Sequence, residues 1–132
     1  MLRITRTLEY PADEVWNVLI DTEAWPAWGP SVTAVRAPNR YLRGGDRGHI
    51  RTVLGAWLPF EVSEFDRGHY WRWRVAGIPA TGHRVEELTE AQCRLVFEVP
   101  VLAAPYAAVC ALATRRIERV TSARARGAAP LP

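Results

Sequence analysis

The 132-residue sequence predicts an α+β domain: a seven-stranded, curved antiparallel sheet wrapped around a long C-terminal helix, with two short helices between strands 1 and 2. Three observations lead to it. Residues 9–30 carry proline, acid and tryptophan in a pattern that opens and then bends a helix pair. Residues 31–100 contain six runs of apolar–polar alternation separated by turn chemistry. From about residue 104 the apolar spacing changes to three and four residues, the mark of one long amphipathic helix.

The opening MLRITRTLEY alternates as a strand does and lacks the apolar core of a signal peptide, so none is expected. Pro11 then suits the first helical position, where a missing N–H is harmless, and Asp13 and Glu14 put negative charge in the positive first turn. Val15, Val18 and Leu19 form one buried stripe that Trp16 widens. Trp16 is expected in the core. Asp21 reads as the N-cap of a second helix that Pro26 soon bends.

SVTAVRA (31–37) and HIRTVL (49–54) alternate on either side of APNRYLRGGDRG, and WLPFEVSEF (57–65) follows the Gly55–Ala56 turn. HYWRWRVAG (69–77) places Trp71, Trp73 and Val75 on one face and Tyr70, Arg72 and Arg74 on the other. Two further strands fit at about 80–89 and 92–100. In the final segment Tyr106, Val109, Cys110, Ala113, Ile117 and Val120 share a helical stripe, with Pro105 in its first turn. Antiparallel strands need cover for one face, so the sheet is expected to curl around this helix.

Composition suits one domain, expected over residues 1–124, with a disordered Arg/Ala/Pro tail at 125–132. All 17 basic residues are Arg, a coding bias rather than a nucleic-acid signature. Arg115, Arg116, Arg119, Arg124 and Arg126 cluster without aromatics or a nucleic-acid motif, as a solvated helix face does. No nucleic-acid or membrane partner is expected, and the location expected is cytoplasmic. Cys93 and Cys110 read as reduced core residues. His49, His69 and His83 are scattered singly, so neither a metal nor another cofactor is expected. The Gly44–Gly45 turn lacks the lysine and hydroxyl of a phosphate loop. An exposed apolar edge or helix leaves room for a homodimer.

YPADEVW (10–16), DTEAWPAW (21–28) and GHRVEEL (82–88), in this order of elements, resemble the START-like, Bet v 1-like or polyketide cyclase/dehydrase (SRPBCC) superfamily. The resemblance covers residues 2 to about 122. It implies the helix-grip fold, with an elongated apolar cavity between sheet and C-terminal helix that takes hydrophobic ligands. It also implies that its aromatic polyketide cyclases place Arg, Tyr, His or Ser in that cavity to promote aldol closure and dehydration.

Six tryptophans in 132 residues supply an aromatic wall. Phe60, Val62, Trp71 and Trp73 are expected to line adjoining strands, with Tyr106, Val109 and Cys110 opposite on the helix. Trp25 and Trp28, flanking Pro26, are expected as two aromatic plates near the mouth, and Trp57 approaches it from a hairpin. Ordinary core packing explains such aromatics equally well. His83, on the parity of Val85, is the candidate acid or base. Arg51 is a candidate anchor for a ligand oxygen if it faces inward, and Tyr106 offers a phenol. Parity leaves Glu64 open, because a bulge would reverse it. Three functions compete: a carrier or sensor of a small hydrophobic, aromatic or polyketide-like molecule; a cyclase, aromatase or dehydratase using His83, Arg51 and Tyr106; and an interaction module with a filled core.

Overall fold

The computed structural model describes residues 1–100 and 106–128. Strand β1 (Leu2–Leu8) leads into helix α1 (Ala12–Ile20), a 3₁₀ turn (Thr22–Ala24) and helix α2 (Trp25–Trp28). Six strands follow: β2 (Val32–Arg36), β3 (Arg47–Thr52), β4 (Trp57–Asp66), β5 (Tyr70–Val75), β6 (Ile78–Thr89) and β7 (Gln92–Val99). Helix α3 (Ala107–Ala128) ends the described chain. The expected fold is present. Pro105, assigned to the first turn of the last helix, lies outside the described residues.

The strands form one antiparallel sheet in the order β1-β7-β6-β5-β4-β3-β2, so the meander closes when β7 pairs with β1. Four register shifts interrupt the ladders, between β2 and β3, β4 and β5, β5 and β6, and β6 and β7. Each inserts a residue and increases local twist, which bends the sheet around α3. The shift between Val62 and Glu64 resolves the open parity of β4: Glu64 is exposed, while Phe65 turns inward against Trp16.

Pro11 stands at the N-cap of α1, one position before the expected one, and its carbonyl accepts from Glu14 and Val15. Asp21 caps the 3₁₀ turn by accepting from the Glu23 N–H at 3.0 Å. Its carboxylate also holds Arg40 of the β2–β3 connection at 3.1 Å through both Nε and Nη2, and Arg124 near the end of α3. One fully buried acid therefore ties the helix pair, a loop and the C-terminal helix together. Arg6 of β1 adds a second tie to α3 through Glu118 at 2.6 Å.

With Arg124 anchored, α3 continues through Ala128, past the boundary expected after residue 124. Alanine and arginine are strong helix formers, and the pattern simply runs on. Residues 129–132 of the expected tail lie outside the described residues.

The core has a packed half and a hollow half. In the packed half, Val15, Trp16, Val18 and Leu19 of α1 meet Leu8, Leu95 and Ile117. Val62 and Phe60 belong to this core. Phe60 stands opposite Gly48 on β3, where any Cβ would sit 2.8 Å from its ring and 2.2 Å from the Arg36 carbonyl oxygen. Only glycine admits so close an approach.

Candidate functional site

A cavity of about 410 Å³ lies between α2, α3 and the concave face of β3, β5 and β6, within the range of small-molecule sites. Its open end is formed by the Gly29–Ser31 loop, the start of α3 and the β5–β6 hairpin. The antiparallel topology brings the β3–β4 hairpin to the same end, and both tips are apolar: Leu54 is 92% exposed and Ile78 67%.

The walls are aromatic and uncharged. Trp28, Trp71, Trp73, His83, Tyr106, Val109 and Cys110, all expected from the sequence, line the cavity. Three expected lining residues stand elsewhere. Phe60 is buried edge-on against Trp25, its ring over Gly48, and Val62 is packed in the core. Trp57, 37% exposed, lies under the Arg36 guanidinium 4.2 Å away, because β4 alternation turns it from the cavity while its neighbour Leu58 faces in. Arg51 is likewise outside: Ile50 and Thr52 face the cavity, so alternation turns Arg51 outward, where its Nε donates to the Gly55 carbonyl.

Thr81 is a cavity residue that the sequence reading did not assign to the site, and Trp25, read with Trp28 as an aromatic plate near the mouth, lines the cavity as well. Trp25 stacks on Trp71 with 5.5 Å between ring centroids, and its Nε1–H donates to the Leu19 carbonyl at 2.9 Å. Trp28 donates likewise to Val18 at 3.3 Å. These carbonyls lie in the last turn of α1, where intrahelical donors run out, so the two indoles cap one helix while walling the cavity. The signal was present in the spacing of Trp25 and Trp28 behind α1. For Thr81 no sequence signal existed, because its importance comes from what lies across the strands.

His83 is almost wholly buried and stacked on Trp71, its ring centroid 3.9 Å away, with Phe97 edge-on at 4.7 Å. Nδ1 lies 3.3 Å from the Trp71 carbonyl oxygen and Nε2 3.1 Å from Thr81 Oγ1, which also accepts from Trp73 Nε1 at 3.1 Å. Burial holds the imidazole well below its ordinary range, at about 3; the Arg72 charge adds to this and the bond to Trp71 opposes it. His83 is therefore neutral at physiological pH. Burial also raises the Tyr106 phenol, which hydrogen-bonds Ser31 across the open end, and pushes the Cys110 thiol up to about 11. Neither is a ready nucleophile.

Among the described residues no helix is long and apolar enough to cross a membrane.

The family model described as polyketide cyclase/dehydrase and lipid transport matches residues 1–126. No curated protein matches the sequence. Among solved structures, the ZhuI aromatase/cyclase from Streptomyces sp. R1128 superposes with a TM-score of 0.74 at 17% identity, covering 98% of both chains. An uncharacterised protein from Bacillus thuringiensis gives 0.68 at 12% identity, covering 91% of this chain and 97% of that one. The NE0264 protein from Nitrosomonas europaea gives 0.66 at 16% identity, covering 95% and 96%. At these identities the likeness shows the shared fold.

Proposed function

Because the chain belongs to the polyketide cyclase/dehydrase and lipid transport family, we propose that it binds a small, hydrophobic, aromatic or polyketide-like molecule in the cavity between the sheet and α3. The supporting observation is the cavity itself: about 410 Å³, open at one end and walled by Trp25, Trp28, Trp71, Trp73 and Phe97. A wall of this kind rewards flat apolar ligands through area burial and ring stacking. Site roles follow: the tryptophans bind, Val109 and Cys110 supply the α3 wall, and Tyr106 with Ser31 borders the mouth.

A cyclase, aromatase or dehydratase in the same cavity would rely on His83 and Tyr106 for proton transfer. Binding is the reading the geometry favours. Both His83 nitrogens are already engaged, burial disfavours its charged form, and Arg51 lies on the outer face.

Tryptophan fluorescence titrated with aromatic, fatty-acid and polyketide-like compounds tests the proposal. Saturable quenching at micromolar concentration supports it. A flat response from folded protein overturns it in favour of a surface role. Turnover of a candidate polyketide that is lost in His83→Ala and Tyr106→Phe, with affinity retained, would instead establish the enzyme.

A further inference from the structure

The hydrogen-bonded chain at the inner wall fixes every proton in it. The Trp71 carbonyl can only accept, so His83 carries its proton on Nδ1. A neutral ring then leaves Nε2 as an acceptor, and the Thr81 hydroxyl must donate to it. The Trp73 indole can only donate, so it donates to Thr81 Oγ1. Thr81 thus gives one hydrogen bond, receives one, and retains a single lone pair.

The other indole N–H groups of the wall are committed or shut away. Trp25 and Trp28 give their N–H groups to α1 carbonyls, and Trp71 Nε1, which has no partner among the described residues, is fully buried. Among the described residues that line the cavity, none carries a formal charge. At Thr81 the wall therefore offers an acceptor and none of the neighbouring indole N–H groups as a donor.

Resting on the cavity reading above, we propose that the ligand class is an uncharged hydroxylated aromatic, whose phenolic O–H donates to Thr81 Oγ1. A ligand that presents only a carbonyl or ether there meets an acceptor with an acceptor, and a carboxylate would be buried without a cation. A bound phenol completes the chain without disturbing it: phenol to Thr81, Thr81 to His83, His83 to Trp71. Thr81 is in this sense a specificity-determining residue.

The test is calorimetric titration of the full chain at neutral pH with naphthalene, 2-naphthol and 2-methoxynaphthalene. Hydrophobicity alone favours the methyl ether over the naphthol by about fourfold, through one extra buried methyl group. The expected result is the reverse: 2-naphthol binds about tenfold more tightly than 2-methoxynaphthalene. Thr81→Val is expected to abolish that preference while naphthalene still binds, and Thr81→Ser to keep it. If the ether binds as tightly as the naphthol in the unaltered chain, the ligand class is wrong while the cavity reading stands. If none of the three binds to folded protein, the cavity reading fails and the ligand class with it. Should Thr81→Val not fold, the naphthol-to-ether ratio of the unaltered chain and of Thr81→Ser decides.

Discussion

His83 stacks on the Trp71 indole at 3.9 Å and an interplanar angle of 24°, while its Nδ1–H donates to the backbone carbonyl of that same residue. The two are direct cross-strand partners in the β5–β6 ladder, so one register position sets both contacts. Their pairing holds the imidazole in one tautomer against the cavity wall.

Protonation of this pair opposes folding. The folded His83 holds its pKa near 3 against an ordinary 6.5, so the unfolded chain binds the proton first. Its contribution is complete above pH 6.5 and is lost as pH falls toward 3, with a slope of up to about 1.4 kcal/mol per pH unit from this group. The His83 ring resonances are expected to stay flat from pH 8 to 5, and His83→Phe to flatten the acid limb of stability in urea. Titration of the folded ring near pH 6.5 would contradict the assignment.

The Asp21 clasp has the opposite charge and its own window. The carboxylate stays below its ordinary range; burial pushes it up, but the bonds from Arg40, Arg124 and the Glu23 N–H prevail. Its stabilisation is present above its unfolded pKa and is lost as pH falls through the folded one. Asp21→Asn is expected to destabilise by about 2–3 kcal/mol in chemical denaturation. That lies below the usual loss for a fully buried pair, because both arginines reach water.

At the β5–β6 hairpin Ala76 holds φ of 52° beside Gly77 at 77°. Two successive positive φ values are what a type I′ turn requires, and alanine is strained there. Ala76→Gly is expected to raise stability by about 0.5–1 kcal/mol, and Gly77→Ala to lower it by about 1 kcal/mol. Thermal unfolding of the two variants reads both signs.

Trp28→Phe keeps a ring at the cavity wall but removes the donor to the Val18 carbonyl. A buried carbonyl left unpaired costs about 1–3 kcal/mol, so a loss of about 1–2 kcal/mol is expected in urea unfolding. A variant as stable as the unaltered chain would show that the α1 end does not depend on this indole.

Much of this architecture is written in local pattern. Period-two alternation in HYWRWRVAG sent Trp71 and Trp73 inward, the parity of His83 with Val85 buried its ring, and the helical stripe from Tyr106 to Cys110 supplied the opposite wall. Alternation also held for Arg51 and Trp57, which it turned outward. Phe60 and Val62 departed from the expected site for a reason outside their strand: Leu58 on the same face lines the cavity, but Phe60 packs against the wall residues Trp25 and Trp73, where Gly48 admits its ring, and Val62 is buried in the core.

The order of elements, the curled sheet around one helix and the aromatic character of its concave face were legible in the residues alone, because they depend on periodicity, turn residues and caps within a few positions of each other. The boundary between packing and cavity, the hold of Asp21 on two arginines from distant segments, and the joining of Trp73 to His83 by Thr81 emerge in the folded chain. Those relations arise from strand register, bulges and side-chain packing across the fold, and such distances have no trace in the spacing of residues along the chain.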